Sequence, residues 1–181
     1  MTVDAFQRGN GERTIMWERI PVEVWESQRG HIERYEMARD LLQEGDTVLD
    51  ATCGIGYGKA VLEWDDYVGV DREPVTAFTG DFRVEDLDTW EPDFEFSMGL
   101  CFETLEHLQN PERWCQIMLR ATRLLMISVP TVPTKHINQW HLHDFTVEDI
   151  LKWLEGYEVE VIPQPHELSH IFICHTSTLS G

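Results

Sequence analysis

Apolar residues return at helical spacing from about Gln28 to Gln43, at Ile32, Tyr35, Ala38, Leu41 and Leu42. Gly45 closes that run, so the spacing predicts a helix that stops there. Thr47 to Leu49 is a short apolar run ending at Asp50, predicting a strand, and a glycine-rich turn follows. Lys59 to Trp64 continues as a helix, and Tyr67 to Val70 is a second strand ending at Asp71. Further strands are predicted at Phe82–Val84, Phe94–Cys101 and Leu124–Val129, the last a continuous apolar run ended by Pro130. Between them Pro111 to Arg123 reads as a helix with an Asn110 cap and proline at its first position. Thr146 opens another helix, with Asp149 placed for a capping box. Glu158–Ile162 and Ile171–Cys174 close the chain as two strands joined by a proline-bearing link. Strands alternating with helices predict an α/β fold with a mainly parallel sheet.

Two stretches break the rhythm. Only about ten residues separate Asp71 from the strand at Phe82, and Pro74 sits among them. A parallel crossover needs a dozen or more, so the second crossover helix is expected to be shortened or absent. That leaves a sheet face to be covered by a second copy in a homodimer or by the N-terminal arm. Residues 1–30 read as such an arm or lid, anchored by Trp17 and Trp25, ahead of a single domain over residues 31–181. The other stretch is the polar loop from Thr131 to Asp144, which carries His136, His141 and His143.

Charge narrows the partners. With 33 acidic against 14 basic residues the formal charge is −19, which works against nucleic acid, whose binding rests on Lys and Arg. It suits a small neutral or cationic substrate. The four cysteines form no CxxC pair and read as reduced, buried thiols. No apolar signal core opens the sequence and no window reaches membrane-span length, so a cytoplasmic protein without membrane contact is expected.

The run Val48-Leu-Asp-Ala-Thr-Cys-Gly-Ile-Gly-Tyr-Gly58 joins a strand to a helix through glycines, an arrangement that brings backbone N–H groups close to a ligand. Lys59 stands where a dinucleotide G-x-G-x-x-G requires its third glycine, and no phosphate-loop motif is present. Asp50 and Asp71 end the two flanking strands. From His31 to about Ile173 the chain resembles the class I S-adenosylmethionine-dependent methyltransferases. The resemblance implies a Rossmann-like sheet, mostly parallel with an antiparallel last strand. It implies that Asp50 and Gly54 line the methionine end, with Thr52 and Gly56 in the same loop, and that Asp71 binds the ribose hydroxyls. Asp86 would then hold the adenine amino group and Leu87 pack beside the ring, with Asp81 the alternative to Asp86. Thr52 departs from the family, which usually has its first glycine there. His31 to Tyr35 resembles a helix of some members in which an arginine and a tyrosine, here Arg34 and Tyr35, reach the cofactor carboxylate. The alternative is that Tyr35 is core and Arg34 solvated.

After the fourth strand, Cys101-Phe-Glu-Thr-Leu-Glu-His-Leu108 carries an E-x-x-E-H pattern, whose glutamates share a face if the segment is helical. The segment resembles that of small-RNA 2′-O-methyltransferases and ubiquinone-pathway O-methyltransferases. There these positions bind a divalent ion, and the first subgroup adds a histidine two residues before a phenylalanine, here His143 before Phe145. The resemblance thus implies Mg²⁺ or another divalent metal on Glu103, Glu106, His107 and His143. In the metal-free reading Glu106 and His107 cap the helix and close the floor of the cofactor pocket, and His141 and His143 serve as substrate hydrogen-bonding groups or a general base. His107 and His143 stay in the active site in either reading, with Glu106 the third catalytic candidate. Trp140 and Asn138 could grip a ring and its hydroxyls. Phe102 to Leu105 lacks the Pro-Pro-aromatic tetrapeptide of nucleic-acid amino-methylating enzymes, so a hydroxyl of a small molecule, or of a terminal sugar or phenol group, is the expected acceptor. The alternatives are a small amine as acceptor, or a cofactor-binding accessory protein without catalysis.

Overall fold

The computed structural model describes residues 29–75 and 80–176. Its elements are α1 (Arg29–Leu41), β1 (Val48–Ala51), α2 (Tyr57–Leu62), β2 (Tyr67–Asp71), β3 (Asp81–Val84), β4 (Phe96–Phe102), a 3₁₀ turn (Leu105–His107), α3 (Pro111–Ala121), β5 (Thr122–Pro130), α4 (Val147–Trp153), β6 (Glu158–Gln164) and β7 (Ser169–His175). Nearly all of the arm expected over residues 1–30, with Trp17 and Trp25, lies outside the described residues. Arg29 and Gly30 belong to α1.

The strands form one seven-stranded sheet in the order β3-β2-β1-β4-β5-β7-β6. The first five pair in parallel, and β7 runs antiparallel to both β5 and β6. This is the Rossmann-like sheet with its late antiparallel strand. Both faces are covered, as parallel sheets require, because alternate residues point to opposite sides. Leu49, Leu125, Ile127 and Val129 meet Trp114 and Met118 of α3 and Ile150 of α4. Val48, Met98, Leu100 and Met126 meet Tyr35 and Ala38 of α1 and Val61 and Leu62 of α2. The caps form as the sequence asks: the Asn110 side chain accepts the Arg113 N–H, and Thr146 and Asp149 complete a reciprocal box.

The described residues between β2 and β3 hold no helix. The β3–β4 connection is trimmed as well. It makes one turn, in which the Thr89 and Trp90 N–H groups donate to the Asp86 carbonyl. Trp90 leans on Trp114, ring centroids 6.1 Å apart. Val84 and Phe94 stay 56% and 44% exposed, so the described residues leave this edge uncovered.

Candidate active site

The strand β1 ends at Ala51, and the chain then turns through left-handed backbone at Thr52 (φ 64°), Gly54 (φ 60°) and Gly56 (φ 84°). A branched residue is costly in that region. Thr52 is held there by its hydroxyl, which donates to the Ala51 carbonyl at 2.6 Å and meets the Thr104 hydroxyl across the sheet. The Gly54 N–H donates to Asp71 Oδ2 at 2.9 Å, and the Glu73 N–H to Asp71 Oδ1 at 3.1 Å. Those bonds aim the Asp71 carboxylate at the C-terminal edge of the sheet, and each oxygen has a further lone pair for a ribose hydroxyl. A Cβ built on Gly54 meets nothing within 4 Å, whereas one on Gly58 would stand 2.4 Å from the Tyr35 ring and 2.8 Å from Asp50 Oδ2. Gly58 thus permits the close approach of α2 to its neighbours, one position before Lys59.

Asp50 also holds the scaffold together. Its side chain is buried, and Oδ2 accepts the hydroxyls of Tyr35 (2.9 Å) and Tyr67 (2.5 Å). Burial lifts the carboxyl to about 7, against the pull of the two phenols and with help from the charge of Asp71. Asp50 and Tyr35 therefore fasten α1 to the sheet. Arg34 is fully buried rather than solvated. Its Nε donates to Gln164 Oε1 at 2.6 Å, and Nη2 pairs with Glu103 Oε1 at 3.2 Å. Its Nη1 has no hydrogen-bond partner among the described residues.

On the adenine side, Glu85 N–H donates to the Asp71 carbonyl, which sets Asp86 beside the end of β2. Asp86 is exposed, its Oδ1 accepting the Asp88 N–H at 3.0 Å, and Leu87 is buried. Asp81 starts β3 at the opposite end of the strand and pairs with Arg83, so Asp86 is the better placed of the two.

The E-x-x-E-H segment is not a helix with a shared glutamate face. Glu103 takes left-handed backbone (φ 49°) and turns toward Arg34, with Ser128 Oγ donating to Oε1 at 2.9 Å and Ser169 Oγ to Oε2 at 3.3 Å. Burial raises the Glu103 carboxyl, and Arg34 and the serines work against that rise. Glu106 follows inside the 3₁₀ turn, 1% exposed, with neither carboxylate oxygen hydrogen-bonded among the described residues. Burial and the charge of Glu103 hold it well above the usual carboxylate range. Next to it, His107 Nδ1 lies 3.0 Å from the Trp140 carbonyl, an acceptor only, so Nδ1 carries the proton and Nε2 the lone pair.

Loop 131–144 folds over this turn. The Leu142 N–H (2.7 Å) and the His143 N–H (3.3 Å) donate to the Glu106 carbonyl. Asp144 Oδ1 accepts the N–H groups of Thr134 and Lys135, and Thr134 Oγ1 lies 2.7 Å from His141 Nδ1. The rings of His107 and His141 meet edge to face, centroids 4.7 Å apart. Burial lowers both imidazoles, keeping them neutral. One ligand atom from each of Glu106, His107 and His141 falls within 4.8 Å of the others.

This set corrects the expected four. Glu103 is taken by Arg34 and two serines, and His143 bonds the Leu108 carbonyl through Nε2 at 2.9 Å while stacking on Phe145. His141 rather than His143 joins Glu106 and His107, because the His143 ring is turned to the Leu108 carbonyl and Phe145. Asn138 accepts the Trp140 N–H within the loop, leaving Trp140 68% exposed beside the cluster. Thr104, Thr134, Ser128, Ser169 and Gln164 are supports that the sequence reading did not single out. All but Thr134 lie 25 or more residues along the chain from their partners, and no short motif marks them.

The chain matches the family model described as a methyltransferase domain over residues 26–171. No curated protein matches it. Among solved structures it is similar to a Haloferax volcanii protein described as a methyltransferase, in complex with the Trm112 methyltransferase activator (TM-score 0.66, 16% identity, 85% of this chain and 92% of that one). It is similar also to magnesium protoporphyrin IX methyltransferase from Synechocystis with bound S-adenosylhomocysteine (0.62, 17%, 94% and 92%). A third is an S-adenosylmethionine-dependent methyltransferase from Clostridium acetobutylicum (0.64, 8%, 85% and 96%). With the family model spanning most of its length and the cofactor loop in place, the chain belongs to the methyltransferase-domain family, as a class I S-adenosylmethionine-dependent methyltransferase.

Proposed function

We propose that the enzyme moves the methyl group of S-adenosylmethionine to a hydroxyl oxygen of a small molecule, or of a terminal sugar or phenol group. The observation that carries this reading is the neutral His107, whose Nε2 lone pair stands beside the buried Glu106 and against His141. A neutral imidazole takes a proton near pH 7, which a hydroxyl must lose as it attacks the sulfonium methyl. The Thr52–Thr104 hydroxyl contact ties this cluster's strand to the cofactor loop, so donor and acceptor would lie alongside, where alignment supplies most of the rate. Asp71 and Asp86 would hold the nucleoside, Gly54 and Gly56 its methionine side.

The test is methyl transfer from radiolabelled S-adenosylmethionine to a panel of phenols, sugars and amines. The reading expects label on a hydroxyl-bearing compound, with kcat lost at least 100-fold in His107→Ala. Label carried by amines alone would overturn the choice of oxygen. Cofactor binding with no transfer to any acceptor would favour the accessory role.

A further inference from the structure

We propose that Glu106, His107 and His141 bind one divalent transition-metal cation of the Mn²⁺-to-Zn²⁺ series, through one carboxylate oxygen and the Nε2 atoms of the two imidazoles. Three observations converge on it. One ligand atom from each of the three residues lies within 4.8 Å of the others. Both oxygens of Glu106 are buried without a hydrogen-bond partner among the described residues, a cost that a protein interior rarely tolerates unless a ligand repays it. Each imidazole has its other nitrogen engaged, His107 Nδ1 on the Trp140 carbonyl and His141 Nδ1 on the Thr134 hydroxyl. That is how metal-binding histidines are oriented, because the outer partner fixes the ring and its tautomer.

The two segments are also clamped by bonds that use no ligand atom. The Leu142 and His143 N–H groups both donate to the Glu106 carbonyl, holding the loop on the 3₁₀ turn. Bonds of about 2.1 Å require the three side chains to close on one centre, and Glu106 gives up no hydrogen bond in doing so. Two nitrogens and one carboxylate suit Mn²⁺, Fe²⁺, Co²⁺ or Zn²⁺ rather than Mg²⁺ or Ca²⁺, which take oxygen ligands. Three protein ligands leave positions open. A cation there would hold an acceptor oxygen and lower its pKa. Its use on an acceptor rests on the hydroxyl-methylation reading, whereas the binding of metal does not.

The experiment titrates Mn²⁺, Zn²⁺ and Mg²⁺ into the tag-free full chain by calorimetry, without cofactor or acceptor, and records the visible spectrum of the Co²⁺ form. Expected are one saturable site for Zn²⁺ and Mn²⁺, at least 10-fold tighter than for Mg²⁺, and imidazole-ligated Co²⁺ bands. Glu106→Gln and His141→Ala should each weaken binding at least 10-fold, and His143→Ala less than 2-fold. His141 is on a partly exposed loop, so its variant stays informative if the Glu106 variant does not fold. Absence of a saturable site, tighter binding of Mg²⁺, or equal losses in His143→Ala and His141→Ala would overturn the proposal. Metal binding without methyl transfer would leave this site standing and remove the methylation reading instead.

Discussion

The two halves of the sheet handle polar groups in opposite ways. On the cofactor half, Asp50 holds two tyrosine hydroxyls and Asp71 two backbone N–H groups, so the acids are already satisfied by the protein. On the acceptor half, Glu106 and both Nη atoms of Arg34 are buried with no hydrogen-bond partner among the described residues, Nη2 keeping its ion pair with Glu103. Buried polar groups without partners cost about 1–3 kcal/mol each. The cofactor half is therefore built as a finished cradle, and the acceptor half as a site that a ligand completes. The same contrast runs through the scaffold in reverse. Helices are trimmed beside β3, whereas α3, α4 and the clamped loop enclose the acceptor side.

Charge burial gives the largest way to sharpen this comparison. Arg34→Met should destabilise the enzyme by about 3–5 kcal/mol in denaturant unfolding, because it leaves Glu103 without its cation. Adding Glu103→Gln should restore most of that loss. A double variant no more stable than the single one would show that Arg34 acts through packing alone.

Next in size is a pH effect on the cofactor half. Asp50 is raised from 3.8 to about 7 in the folded chain, so the folded state holds its proton more tightly than the unfolded one. The resulting stability is complete below about pH 4 and is lost as pH rises through 7, on the order of 3–4 kcal/mol. Asp50→Asn can still accept both phenol hydroxyls and should flatten this part of the stability profile. An unchanged slope between pH 4 and 7 would place the titration elsewhere.

Gly58→Ala comes third. Its Cβ would strike the Tyr35 ring, and overpacking of this kind costs about 1–3 kcal/mol. Melting temperature reports it, and Gly54→Ala serves as the comparison, where space is open but the left-handed backbone is strained. Smallest is the uncovered edge. Val84→Lys should change stability by less than about 0.5 kcal/mol in a monomer. If light scattering finds a dimer that this substitution dissociates, the second copy expected from the trimmed sheet covers β3.

Legibility followed the same division. The β1 loop, Asp71 and the short β2–β3 connection could be read because strand period, glycine spacing and crossover length are local properties. The acceptor half depended on contacts between distant segments. Glu103 could not be separated from Glu106 without the left-handed turn that sends it to Arg34, Ser128 and Ser169. His143 matched a motif, but its ring goes to the Leu108 carbonyl and Phe145, and His141 lies with Glu106 and His107. The structural role of Asp50 could not be read, because position along a strand does not reveal which face its side chain takes. Tyr35 and Tyr67, 15 and 17 residues away, decide it.

The most direct test is a calorimetric titration of S-adenosylhomocysteine into the wild-type chain, Asp71→Asn and His141→Ala. Division of labour between the halves predicts one site of micromolar affinity, weakened at least 10-fold by Asp71→Asn and less than 2-fold by His141→Ala. No binding, or an equal loss in both variants, would contradict it.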